Sequence, residues 1–470
     1  MVLKFFKNLI DIKHNYKQYI LFGLFILFLA SSFLYIKTYK IVFALLNATI
    51  LGSHLILFKG KYRIYGLFLY MPFVIFFNYK PLGLGSFYSY IILIYDLIAI
   101  IEAIFRKEKL SELQKRRLII GIILAFYSLL LSLLFSDLKG TIKTVSIFGY
   151  LLSISLLAID NKAYKKIGHL IALLIVSFFL SNALAYGVLY VLKGDIALSF
   201  LKNFLPEVYY LKYISTNNSF RFPGLSSDPN YLGMYTLVLT ALYALNFKKV
   251  PFKFALLVFV LGLHFFSLYG SSRNYILASA ISLLILGVFY LIKFKYGWMV
   301  STFICLAGLI VFFIFGNSLI APVLLRSINI DTRFGFLASL TSDRSTLQTY
   351  YFSYYLSHPG IFIFGHGFTN SLLSGDSAHS VYVMSFIYFG VFGTILYYWY
   401  ICSFFDLKLV GKQFILAMPL VILLIYGFTL DYISYAEFLL FLIFIYNLTF
   451  IEKRNITTNN KPIQIYEVAI

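Results

Sequence analysis

Apolar residues along the chain come in long blocks separated by short polar clusters. A helix needs roughly 20 mainly apolar residues, within about 17–25, to cross a hydrocarbon layer, and about fourteen blocks meet that criterion. Their cores lie near 19–36, 41–58, 64–79, 86–105, 118–135, 142–159, 167–192, 231–247, 252–269, 274–292, 298–316, 378–404, 414–430 and 434–450. Two intervals between blocks are much longer than the rest, 193–230 and 317–377. No internal repeat and no soluble domain interrupts the series, so residues 1–470 read as one transmembrane domain. The predicted fold class is an all-α polytopic integral membrane protein. The first block follows Lys4, Lys7, Lys13 and Lys17 as a signal peptide would. It is long enough to span and lacks a small-residue cleavage site, which predicts an uncleaved first helix.

Composition agrees. The chain is 61% hydrophobic and 12% charged, against roughly 25% charged in a soluble protein. The formal charge of +21 could suggest nucleic acid. The basic residues fall instead in small groups between apolar blocks, as topology signals do. With the N-terminus inside, the cytoplasmic junctions carry Lys59–Arg63, the basic cluster Arg106–Arg117, Lys162–Lys166, Lys248–Lys253, Lys293–Lys295 and Lys408–Lys412, and the C-terminal tail adds Lys453 and Arg454. This predicts both termini inside and both long intervals outside, the larger one between helices 11 and 12. Cys305 and Cys402 sit inside apolar blocks, where they read as buried thiols and build neither a disulfide framework nor a metal site.

Long loops are usually functional or disordered, and the aromatics in these two argue for order. Within the second, 342–357 reads as a helix. Ser342 caps it, Asp343 suits its positive end, and His358-Pro359-Gly360 stops it. Leu347, Tyr350, Tyr351 and Tyr354 would share one face, which predicts a helix lying on the membrane surface.

Polar residues on the predicted outer side gather in four segments: Arg221 to Asn230, Gly270 to Arg273, Asp343-Arg344, and Gly365 to Ser380. Arg221, Arg273 and Arg344 together could hold a diphosphate, because guanidinium binds phosphate oxygens bidentately and stays charged. Each taken alone also suits a lipid headgroup or a helix terminus. His379, at the junction of the large loop and a helix, could accept a proton from a sugar hydroxyl near neutral pH, or be an interfacial histidine. Asp376, His379 and His366 lack the spacing of a metal site, and none is expected. Asp96, Glu102, His54, His169 and His264 lie within apolar blocks and could mark an ion pathway, but they form no clear relay.

The order of these segments resembles the bacterial O-antigen polymerase and O-antigen ligase family. The resemblance rests on Arg221-Phe222-Pro223-Gly224, then Pro229-Asn230 before a helix, then Ser272-Arg273. Arg344 opens the next helix, followed by Pro359, Gly365-His366-Gly367, and His379-Ser380 at the start of another. It covers roughly 221–393, and the helix after Arg344 carries Tyr350 and Tyr351 where the family often has a tryptophan. The resemblance implies a lipid-linked glycosyltransferase fold (GT-C-like) in the bacterial cytoplasmic membrane, with a site facing outward. It implies no cofactor, an undecaprenyl-diphosphate-linked oligosaccharide as substrate, and membrane lipids and a chain-length regulator as partners. His379, Arg221 and Arg273 would be catalytic. Arg344, Asp228, Asn230 and His366 would bind the diphosphate or sugar. The leading expectation is a polymerase of lipid-linked repeat units. A ligase transferring to lipid A core is the near alternative, and a lipid-linked glycan flippase is the alternative of another class.

Overall fold

The computed structural model describes residues 15–38, 41–57, 112–135, 167–191, 229–270, 272–293, 344–368, 379–403 and 417–433, with isolated positions between them. Among the described residues every regular element is helical. In chain order these are α1 (Asn15–Thr38), α2 (Ile41–Leu57), α3 (Glu112–Phe135), α4 (Ile167–Val191), α5 (Pro229–Leu245) and α6 (Lys253–Tyr269), then α7 (Arg273–Lys293), α8 (Arg344–Ser357), α9 (Pro359–Phe364), α10 (Val381–Cys402) and α11 (Met418–Gly427). Apart from isolated positions, the predicted blocks at 64–79, 86–105, 142–159, 298–316 and 434–450 lie outside the described residues.

Among the described residues, two helices are long and apolar enough to cross a membrane: Lys115–Phe135 within α3, of 21 residues, and α10, of 22. Their surfaces differ. α3 buries Ile120, Leu124, Ser128 and Leu131 at helical spacing and exposes Ile119, Ile122, Phe126, Leu130 and Leu133. An exposed apolar stripe of that extent is unstable against water and comfortable against lipid tails.

The core is organised around α5, in which every residue from Pro229 to Leu239 is buried. A helix apolar all round belongs inside a bundle, and α4, α6, α7 and α11 pack against it. Gly233 permits the tightest of these approaches, since a Cβ there would lie 2.8 Å from Tyr275 Cβ and 2.7 Å from the Tyr426 hydroxyl. Small residues at such crossings let helices pack where water supplies no driving force. Hydroxyl bonds add to the tie: Thr236 to Ser267 at 2.8 Å, Thr240 to His264 Nε2 at 2.9 Å, and Tyr275 to His264 Nδ1. A second group joins α3, α9 and α10, with α8 on α9.

Four features differ from the sequence expectations. On α8 the buried residues are Tyr351 and Tyr355, and Tyr350 is 59% exposed. The helix is thus rotated so that Tyr355 donates to the Val383 carbonyl at 2.5 Å. The stop at His358-Pro359-Gly360 ends α8, but Pro359 immediately opens α9, where proline suits the first helical turn. Cys402 is exposed at the end of α10 rather than buried. The fourth difference is a break inside α10.

That break is at Gly390, whose φ of 61° and ψ of −173° are non-helical. It falls nine residues into α10, about 14 Å along the axis. The end of α9 packs into the gap. Gly365 (φ 82°) and Gly390 touch backbone to backbone, and a Cβ on Gly365 would lie 2.5 Å from the Gly390 nitrogen. The His366 and Gly367 amides donate to the carbonyls of Ile387 (2.7 Å) and Tyr388 (3.1 Å). Carbonyls released by the break are therefore satisfied from outside the helix, as buried backbone requires. Tyr127 of α3 donates to the Phe364 carbonyl at 2.5 Å and closes the other side. Segment 359–368, expected as part of a surface loop, thus runs along the first half of α10.

Candidate functional site

The starts of α5, α7 and α10 and the exit of α11 meet at one end of the bundle, the end predicted to face outward. Asn230, in the first turn of α5, accepts through Oδ1 from Ser272 Oγ (2.7 Å) and Asn274 Nδ2 (3.1 Å). Ser272 in turn accepts from the Tyr275 amide at 3.2 Å and so caps α7. These bonds fix the start of α7 against α5. Asn230, expected to bind substrate, has its carbonyl oxygen engaged in this tie.

Phe222 is fully buried among Tyr186, Phe266 and Tyr269. Its carbonyl lies against Gly270, where a Cβ would approach it to 2.7 Å. The chain directly after Arg221 is therefore anchored beside the ends of α5, α6 and α7. Arg221 itself and Asp228 lie outside the described residues. Arg273 and Arg344 are the first residues of α7 and α8, and the structure describes their backbone but not their side chains.

His379 and Ser380 precede α10. Ser380 caps it, accepting from the Val383 amide at 3.5 Å and donating to the Gly427 carbonyl at 3.2 Å. His379 has a φ of 50°, a left-handed conformation that costs a non-glycine residue on the order of 1–3 kcal/mol and persists only where neighbours enforce it. Here the Ser380 cap and the Val381 amide, bonded to the Leu430 carbonyl at 3.0 Å, enforce it. Phe252, in the turn before α6, has the same conformation with a φ of 52°.

The exit of α11 is where the separate segments converge. Ser380 reaches Gly427, Gln348 of α8 donates to the Phe428 carbonyl at 3.3 Å, and Val381 reaches Leu430. Tyr231 of α5 donates to the Asp431 carbonyl at 3.0 Å, and Tyr388 of α10 donates to Asp431 Oδ2 at 3.0 Å. Tyr397, Tyr398 and Tyr432 lie within electrostatic reach of the same carboxylate. Asp431 was not among the residues singled out from sequence. Its only signal there is a lone acidic residue between two apolar blocks, on the predicted outer side.

The structure brings Asn230, Ser272, His379 and Gln348 of α8 to this end. It places His366 elsewhere, in the Gly365–Gly367 turn beside the break in α10, stacked at 5.4 Å on Phe135. Burial holds the His366 imidazole below its ordinary pKa, so it is neutral at neutral pH. Among the histidines read as a possible ion pathway, His264 is a crosslink between hydroxyls of α5 and α7, and His54 packs edge-on against Tyr70 at 6.0 Å. Asp96 and Glu102 lie outside the described residues. Among the described residues no three metal-ligating side chains cluster.

Comparison with known protein families, characterised proteins and solved structures returns no match to this chain.

Proposed function

We propose that this protein is a membrane glycosyltransferase that polymerises lipid-linked repeat units at the outer face of the bacterial cytoplasmic membrane. The chain would cross about fourteen times by block length, with both termini inside. The observation that carries the reading is the convergence on residues 427–431. Segments near residues 230, 272, 348 and 380, distant in sequence, are drawn to one end of the bundle.

In this reading Arg221, Arg273 and Arg344 neutralise the diphosphate, as fixed cations do at a developing leaving-group charge. His379 takes the proton from the acceptor hydroxyl. The acceptor oxygen bonds to the anomeric carbon as the bond from that carbon to the diphosphate breaks, and the lipid diphosphate departs. Direct displacement inverts the anomeric configuration; a retained configuration in the product linkage would exclude it. The one-sided gathering of polar residues favours an enzyme over a flippase, which needs polar residues along a midplane path.

The test is to supply purified protein with lipid-linked repeat units alone. A ladder of longer glycans supports the polymerase. Transfer that appears only when lipid A core is added makes it a ligase, and translocation without transfer makes it a flippase.

A further inference from the structure

Tyr388 is the point where the break in α10 and the polar end of the bundle meet. It lies two residues before Gly390. Its carbonyl accepts from the Gly367 amide at 3.1 Å, and its ring stacks on Phe368 at 4.4 Å. Its hydroxyl donates to Asp431 Oδ2 at 3.0 Å. Backbone, ring and hydroxyl are thus each held by a different partner, two of them from the turn that enters the break.

We propose that Tyr388 is a positioning residue that orients the Asp431 carboxylate, and that the Gly365–Gly367 turn is the brace that aims it. A continuous helix would bond the Tyr388 carbonyl to the amide four residues on. The non-helical Gly390 removes that geometry, and the Gly367 amide takes over the carbonyl. The ring direction of Tyr388 is then set by the turn and not by helical continuity alone. The glycines are required by contact: a Cβ on Gly390 would lie 2.4 Å from the Gly365 nitrogen and from the Ile363 carbonyl.

Asp431 receives the consequence. Its backbone is held by Tyr231 of α5 and its carboxylate by Tyr388 of α10. One residue earlier, Leu430 accepts from Val381, two residues after His379. The carboxylate and the histidine therefore flank a single backbone hydrogen bond, and the brace fixes the orientation of one relative to the other.

The inference rests on the transferase reading, and its test separates the two. Tyr388→Phe keeps the stacking ring and removes the donor. Transfer is expected to fall about tenfold or more, the scale of one hydrogen bond to a charged group, at unchanged protein yield. Combined with Asp431→Asn it should add no further loss, because a residue acting through another is non-additive with it. Equal rates for Tyr388→Phe and the parent, or losses that multiply in the double variant, would overturn the proposal. The second readout needs no activity. The carboxyl infrared band assigned to Asp431 by its disappearance in Asp431→Asn should shift in Tyr388→Phe, and an unmoved band overturns the inference. A parent protein that transfers no glycan from any lipid-linked donor counts against the transferase reading, and the band then decides the contact by itself.

Discussion

The two ends of the α5–α6 hairpin are built differently. At the end carrying α5's last turn, the chain reverses through residues 246–252 and is closed by neighbours. Asn246 Nδ2 donates to the Leu242 carbonyl at 3.0 Å, the Lys249 amide to Asn246 at 2.8 Å, and the Tyr243 hydroxyl to Lys253 at 2.5 Å, ten residues away. Lys253 also lies over the rings of Phe247 and Phe254. At the end carrying α5's first turn, the bonds from Asn230, Ser380, Gln348 and Tyr231 span 42, 47, 80 and 200 residues. The hydrogen bonds of that turn are local, and its Lys249 carbonyl is seated against Gly168 of α4. An end assembled from remote segments gathers side chains far apart in sequence and depends on the ties between them.

The largest expected effect follows from that contrast. His379→Ala, Arg221→Ala and Arg273→Ala should each lower glycan polymerisation by about 100-fold or more, with protein still present in the membrane by immunoblot. Normal polymer from all three would break the assignment of function to this end. Next is Gly390→Ala, which forces backbone against a new Cβ. A loss of about 1–3 kcal/mol is expected, read as a lower melting temperature and reduced folded yield in detergent. Ser272→Ala removes a helix cap and the tie to Asn230, and should cost about 1 kcal/mol by thermal melting, with transfer reduced alongside. Smallest is Lys253→Ala at the opposite end. It should cost at most about 1 kcal/mol through the lost ring contacts and leave transfer unchanged; a matching fall in transfer would erase the difference between the ends. Chelation with EDTA should leave activity intact, and its loss would restore a metal to the mechanism.

What sequence made legible follows the same division. Lengths of apolar blocks located α4, α5, α6, α7 and α10 to within a few residues, because a long apolar run has few other folded uses. The lysine and arginine pattern grouped the polar segments on one predicted side, and the starts of α5, α7 and α10 do lie at one end of the bundle. Which face of α8 packs inward was not legible, because tyrosines stand at 350, 351, 354 and 355 and aromatic spacing does not choose among them. Tyr355 is selected by a carbonyl on α10, a partner no local pattern reveals. Asp431 was missed for the same reason, its tyrosine donor lying 43 residues away. The break in α10 was hidden because amides of residues 366 and 367 carry it, and amides leave no trace in side-chain identity. His264, one of the scattered residues that could mark an ion pathway, bonds Thr240 and Tyr275 on either side, partners that no local pattern reveals.

The left-handed backbone at His379 makes one variant useful as a tool. Glycine accepts that conformation without a steric penalty. His379→Gly should therefore be at least as heat-resistant as the parent while lacking the imidazole. If His379 is the proton acceptor proposed above, such a variant keeps its shape and holds donor and acceptor glycans without consuming them. On the proposed transferase reading it would be a substrate trap, and sugars eluted from it would test that reading.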